Sequence, residues 1–514
     1  MLTRLKVDGF KNLVGVDVRF GPFTCIAGAN GVGKSNLFDA IRFLAALADN
    51  RLVEAAKLVR EGRTADVRSL FHRVGDSYRK EMTFEAEMII PREGVDDLGQ
   101  RAVAGTTFLH YKLVIAHRDT NNDPSSDPLE IKSEELIHIT QGEAKERLGF
   151  PNKKIWRESA IVGKRVSSLI STEKKDAGGD GAPRVEIKFH QDRPTKDRKG
   201  TGGGRPASFL ASTLPRTVLS VANAAENRTA TLARREMQSW RLLQLEPSAL
   251  REPDLFTDPN RLGSDGSHLA ATLYRLARAR SGPPGHESFD EARVFAQVAN
   301  RLAELIDDVL EVRVESDSQR ELRTLQVMGV DKTWHQARAL SDGTLRFLAL
   351  AVIDLDPSSQ GVLCLEEPEN GLHPNRIPAM LSLLQDITTD TDEPVNEDNP
   401  LRQVIVNTHS PAVVGGVPDD SLLVARLREQ IVDGRRFRSV QFACLDQTWR
   451  GGPDVGVDNI AKGDIGAYLN PIAREIDGST SDGLLVKAPP RPARRRVVDR
   501  PDLRAFLPGF EHET

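Results

Sequence analysis

The spacing of hydrophobic residues changes several times along this chain, and each change marks an element. Leu2, Leu5 and Val7, then Val14, Val16, Val18 and Phe20, alternate with polar residues as paired strands do. Phe23 to Ala27 is a short unbroken apolar run, read as a buried strand, and it stops at glycines 28, 31 and 33. From Ser35 to Asn50 the period lengthens, with Leu37, Ile41, Leu44, Ala45 and Leu47 at helical spacing. The order is strand, glycine loop, helix. Strands are predicted again over 82–90, 108–115 and 185–189, with breaker-rich surface loops over 119–128 and 178–183 between them. Residues 226–310 read as helices interrupted by Pro247, Pro253, Pro259 and the Gly-Pro-Pro-Gly at 282–285. No heptad repeat is sustained there, so no long coiled coil is expected. Strand patterns return over 309–314 and 322–327, a helix over 344–353, and apolar buried strands over 361–365 and 402–407.

A chain of 514 residues exceeds what one hydrophobic core organises, so several units are expected. Hydrophobic residues at 39% and charged residues at 28% describe a globular chain and exclude bulk disorder. The net charge of −4 gives no global footprint for nucleic acid or an anionic membrane. DNA or RNA would have to be met by a local patch: the basic stretch over 193–205, or the proline- and arginine-rich tail beyond residue 484. There is neither an apolar run long enough to span a membrane nor a signal-type opening, which predicts a cytoplasmic chain without a membrane partner. Cys25, Cys364 and Cys444 lack metal-site spacing and read as buried free thiols.

Candidate chemistry concentrates at four places. Gly28-Ala-Asn-Gly-Val-Gly-Lys-Ser35 fits the phosphate-binding loop pattern and falls after a buried strand and at a helix start. Gly31 and Gly33 let backbone N–H groups turn onto phosphate oxygens, Lys34 reaches the β and γ phosphates, and the Ser35 hydroxyl takes Mg²⁺. Gly361 to Glu369 is an apolar strand whose end carries adjacent carboxylates. Glu366 is placed to hold the Mg²⁺ shell and Glu367 to polarise an attacking water, as successive strand-end side chains point apart. Asn407-Thr-His-Ser-Pro411 ends another apolar strand and brings His409 to the same edge, where it contacts the γ phosphate. Ala339 to Arg346 precedes a helix. Ser341 and Gly343 there offer a hydroxyl and an N–H to phosphate, or else form a plain helix cap. Asp454, Asp458 and Asp464 lie in glycine-rich sequence and read as turn residues.

These segments resemble the ABC-type ATPases of the SMC, RecF and OLD branch. They are most similar to bacterial AAA-type ATPases of anti-phage systems, with Leu340–Arg346 as signature and Leu365–Pro374 as acidic strand and D-loop, Asn370 to His373 matching the latter. Gly9–Asn12, Lys34–Asn36 and Leu262–Leu269 also match this branch. The resemblance implies an α/β P-loop head, a mixed sheet flanked by helices with an inserted, mainly helical lid or arm. ATP and Mg²⁺ are the implied ligands. Gly28, Asn30, Gly31, Gly33, Lys34, Ser35 and Asn36 would cradle the nucleotide, with Lys34, Glu367 and His409 acting in hydrolysis. It also implies a homodimer or higher oligomer in which Ser341, Asp342, Gly343 and Thr344 face the nucleotide of the second copy. Two departures, Ser-Asp-Gly-Thr in the signature and glutamate at 366, weigh against a transporter subunit, as do some 300 residues between loop and signature. Only 105 residues follow His409, without a convincing acidic metal cluster, so nuclease activity would come from a separate effector protein. The alternative within the branch is a RecF-type DNA repair ATPase. No Q-loop glutamine stands out over 130–225. The expected units are an N-terminal lobe 1–225, a helical lid 226–310, a C-terminal lobe 311–425 and an extension 426–514.

Overall fold

The computed structural model describes the chain except for residues 60–65, 119–126, 164–166, 176–183, 193–205, 280–286, 307–308, 433, 452–457, 461–496, 498–499 and 501–514. The basic stretch at 193–205, the Gly-Pro-Pro-Gly break, Asp454, Asp464 and the arginine-rich part of the tail lie outside the described residues. Asp458, expected in a turn, begins the short strand Asp458–Asn459.

Two sheets organise the molecule. A seven-stranded sheet runs in the order Arg241–Leu243, Gly361–Glu366, Arg402–Thr408, Phe23–Ala27, Leu422–Val432, Arg435–Cys444 and Asp458–Asn459. Its first five strands are parallel. An eight-stranded antiparallel sheet joins Leu2–Asp8 and Val16–Arg19 to Glu81–Ile89, Phe108–His117, Leu129–His138, Ile170–Lys175, Arg184–Phe189 and Ala207–Leu210.

Strands buried on both faces explain the unbroken apolar runs: every residue of Phe23–Ala27 and of Arg402–Thr408 is buried. Successive side chains then enter different cores. Ile26, Cys364 and Ile405 join the cluster that holds Leu37, Phe38, Ile41 and Leu44 of the helix Lys34–Leu47, together with Leu5, Val7 and Phe84 of the antiparallel sheet. Phe10, Phe43 and Phe84 meet there with ring centroids 5.5 to 5.9 Å apart. Phe23, Cys25, Leu363, Leu365, Val404 and Val406 face the second core, built on the helices Asp342–Leu355 and Ile377–Asp386. The three cysteines are buried and free, and burial pushes the thiols of Cys25 and Cys364 upward.

The stretch over 226–310 departs from the expected lid. It contains the helices Arg228–Gln238, Pro247–Arg251, Leu269–Ala279 and Glu287–Ala303, but between the first two lies Arg241–Leu243, the edge strand of the central sheet. Leu273, Leu276, Val298 and Leu302 share a core with Leu348 and Ile353. These helices therefore form a layer of the head, because their apolar stripes need the sheet-backed core to be covered. The expected boundary after residue 425 falls inside the strand Leu422–Val432, which pairs with the loop-bearing strand. The longest described helix has 17 residues, and none among the described residues is long and apolar enough to cross a membrane.

The segment after the hairpin is anchored by Arg450, fully buried beneath the ring of Trp449 at 4.1 Å. It donates to the Asp420 carbonyl at 3.0 Å, the Thr24 hydroxyl at 3.0 Å and the Arg19 carbonyl. Thr24 lies on the strand that feeds the glycine loop. Replacing Arg450 by Ala strands these acceptors, and should lower the free energy of urea unfolding by at least about 3 kcal/mol.

Candidate functional site

Parallel pairing brings the carboxyl ends of four strands to one edge. Leu243 pairs with Leu365, Glu366 with Asn407, Asn407 with Ile26 and Thr408 with Ala27. Gln244, Glu367, His409 and Gly28 therefore leave the sheet together, at the edge where open α/β sheets bind ligands. A cleft of about 640 Å³ opens there.

The glycine loop is held by a residue far from it in sequence. Asn12 donates from Nδ2 to the Val32 carbonyl at 3.0 Å and accepts from Asn36 Nδ2 at 2.8 Å. Gly33 begins the helix with φ of 111°, and a Cβ there would lie 2.3 Å from Asn12 Nδ2. Lys34 is buried and donates to the loop's own carbonyls, Gly28 at 2.6 Å and Ala29 at 3.1 Å. Burial draws its pKa down, against the opposing pull of Glu367, Glu366 and Glu369.

The acidic strand end is equally fixed. Glu366 Oε1 accepts from Asn407 Nδ2 at 3.2 Å and Oε2 from Gln244 Nε2 at 3.4 Å. Glu367 adopts φ of 46°, a left-handed conformation costly for a residue with a side chain. Its own N–H donates to the Asn407 carbonyl at 3.0 Å. Its carboxylate is gripped from two sides, by His409 Nδ1 at 2.6 Å on Oε1 and Asn370 Nδ2 at 2.8 Å on Oε2. Partial burial pushes its pKa up, but these bonds and the charges of His409 and Lys34 outweigh that and leave it below the ordinary carboxylate range. Glu369 behaves in the opposite sense: it is buried, accepts from the Thr408 hydroxyl on one oxygen, has no hydrogen-bond partner on the other, and is raised by burial.

Asn30, Gly31, Gly33, Lys34, Ser35, Asn36, Glu366 and Glu367 line the cleft. Gly28 borders it through its bond to Lys34, and His409 through Glu367. Ser341, Asp342, Gly343 and Thr344 are not among its lining residues. Ser341 caps the helix Asp342–Leu355, accepting from the Thr344 N–H at 3.2 Å, and Asp342 pairs with Arg251. The plain-cap reading of Ser341 thus describes its contacts within one chain. Asn36, expected at the nucleotide, lines the cleft while its amide braces Asn12.

Sequence reasoning missed Gln244, sought instead over 130–225. It follows a three-residue strand too short for a periodicity to register, and the helical patterns on either side obscure it. Ser35, Glu366 and Gln244 line one cleft, and a hydroxyl, a carboxylate and an amide carbonyl are the oxygen donors that suit a hard divalent cation such as Mg²⁺.

A glycine loop on a parallel strand, with carboxylates and a histidine on the adjoining strand ends, defines a P-loop nucleotide-binding fold of the ABC type. The chain matches the family described as "AAA domain, putative AbiEii toxin, Type IV TA system" over residues 23–95 and 252–415. It is 40% identical over 62 residues to the DNA replication and repair protein RecF of Paenarthrobacter aurescens, covering 12% of this chain and 16% of that protein. To the RecF of Magnetococcus marinus it is 34% identical over 110 residues, 21% of this chain and 28% of that protein. The chain thus spans less than a third of these relatives' length. Similar solved structures include an Smc head bound to the C-winged helix domain of ScpA, at 15% identity and TM-score 0.41, covering 87% of this chain and 98% of that one. The SMC head domain from Thermotoga maritima, at 12% identity and TM-score 0.34, covers 87% and 99%. Over these segments the chain is similar to the ABC-type ATPases of the SMC, RecF and OLD branch.

Gly33→Ala forces an L side chain into left-handed backbone against Asn12. Affinity for a fluorescent ATP analogue should fall at least about tenfold, which equilibrium titration reads directly.

Proposed function

We propose that this chain binds ATP with Mg²⁺ and hydrolyses it, and that two copies close around the nucleotide so that cleavage times their release. The observation that supports this reading is the gathering of Lys34, Glu366, Glu367 and His409 at one sheet edge beside the glycine loop. Lys34 and the backbone N–H groups of Gly31 to Ser35 hold the phosphates. Ser35 and Glu366 hold Mg²⁺, with Gln244 able to turn its amide oxygen inward; the bound ion neutralises phosphate charge beside three carboxylates. Glu367, ionised and oriented from both sides, takes the proton of the attacking water. His409 already gives Nδ1 to Glu367, so Nε2 donates to a γ-phosphate oxygen only from the imidazolium form.

Ser341 to Thr344 lie outside their own chain's cleft, which fits a segment that meets the nucleotide of a second copy. Charge-assisted hydrogen bonds across that interface are each worth about 1.5 to 3 kcal/mol, enough for triphosphate to shift the dimer equilibrium. The cycle then serves as a cytoplasmic switch or sensor, paired with a separate nuclease or other effector in anti-phage defence. The toxin–antitoxin family description and the nucleic-acid work of the RecF relatives support that setting. The RecF matches also favour a second reading, a DNA repair ATPase in which DNA itself is the trigger.

Glu367→Gln should keep ATP binding, lose turnover and accumulate an ATP-dependent dimer in light scattering; unchanged turnover would refute the assignment. Lys34→Ala should lose nucleotide binding itself. Turnover stimulated by naked DNA, with a steep dependence on salt, selects the repair reading over an effector-linked switch.

A further inference from the structure

Arg346 closes the Leu340–Arg346 motif, and its side chain reaches the cleft from the signature helix. Its Nε donates to the Leu245 carbonyl at 3.0 Å and its Nη1 to the Asn370 carbonyl at 2.6 Å. These acceptors belong to different loops, each adjoining one of the paired carboxylates. Leu245 follows Gln244, whose amide donates to Glu366. Asn370 donates from its own side chain to Glu367 at 2.8 Å. A planar guanidinium serves two diverging acceptors at fixed angles, which a lysine ammonium on a flexible stem does not reproduce.

Packing leaves little slack between the same parts. A Cβ on Gly343 would come within 2.6 Å of Leu372 Cδ2 and 2.7 Å of the Gly371 carbonyl, so the start of the signature helix is pressed against the loop that carries Asn370. Arg251 fastens the other side, donating to the Leu340 carbonyl at 3.1 Å and pairing with Asp342. A shift of the Ser341–Thr344 segment is thereby transmitted to both loops.

We propose that Arg346 is a positioning residue through which the signature segment sets the orientation of Glu367, and through Gln244 that of Glu366, in its own chain. Resting on the ATPase reading above, this makes contact of Ser341–Thr344 with a second copy's nucleotide the event that aligns the first copy's base. Each site is thereby informed of the other's occupancy by a bonded path within one chain.

The test uses the full chain and Mg-ATP. Arg346→Lys should leave the dissociation constant of a fluorescent ATP analogue within about threefold while kcat falls about 10- to 100-fold, the scale of a catalytic group displaced by about 1 Å. Asn370→Ala keeps the carbonyl that Arg346 uses but removes the bond to Glu367, and should lower kcat similarly. The double variant should be no slower than the worse single one, because both interrupt one path. Losses in kcat that multiply in the double variant, or unchanged kcat in Arg346→Lys, overturn the relay while wild-type turnover still upholds the ATPase reading. A wild-type chain that binds ATP without turning it over overturns both. If Arg346→Lys proves unfolded by circular dichroism, Asn370→Ala decides alone: full kcat overturns the relay, and reduced kcat with intact binding supports it.

Discussion

The ladder that pairs Glu366 with Asn407, and Asn407 with Ile26, fixes most of the chemistry of this chain. Parallel strands ending in register deliver their next residues to one edge. A slip of one residue would exchange every side chain between the two cores. Because Cys364 and Ile405 fill one core while Leu365 and Val406 fill the other, the burial that stabilises the sheet also sets which carboxylate faces the loop. Precise placement of Glu366 and Glu367 is a by-product of apolar packing that extends over the whole head.

On that edge the charges work against one another in a useful way. Lys34 is buried and its ammonium is disfavoured by desolvation, yet three glutamates lie close enough to offset part of that cost. The same carboxylates would repel a polyphosphate, so the proposed ATP binding calls for a divalent cation to arrive with it. Glu367 and Glu369 stand two residues apart and respond oppositely to their surroundings. Donors on both oxygens hold the first ionised, while burial with one oxygen unpartnered raises the second. Two neighbouring carboxyl groups whose environments separate their proton affinities can hold different roles at one pH.

Strain and bracing complete the arrangement. Glu367 sits in left-handed backbone that costs about 1 to 3 kcal/mol, held by its N–H bond to Asn407 and by side-chain bonds to His409 and Asn370. Asn12 plays a comparable part for the glycine loop, from a turn between the first two strands of the other sheet. The antiparallel sheet is therefore more than a support for the P-loop helix, since the turn between its first two strands carries the side chain that braces the loop.

Much of this was legible before any coordinates. The glycine loop, the paired glutamates and the strand-end histidine each announce themselves through local spacing, because their chemistry needs neighbouring residues on one element. Buried strands such as Phe23–Ala27 were equally plain, since burial on both faces leaves an unbroken apolar run. Contacts that join distant segments left no such trace. The three-residue strand before Gln244, the membership of the helices Leu269–Ala279 and Glu287–Ala303 in the head, the strand that crosses residue 425, and the fork of Arg346 over two loops depend on which surfaces the folded chain presses together. By itself, then, the sequence determined which groups are candidates for phosphate chemistry, because that is written in residue type and short-range spacing. Only the tertiary structure decided how those groups are oriented and coupled, because orientation comes from strand register, core packing and hydrogen bonds between residues tens to hundreds of positions apart.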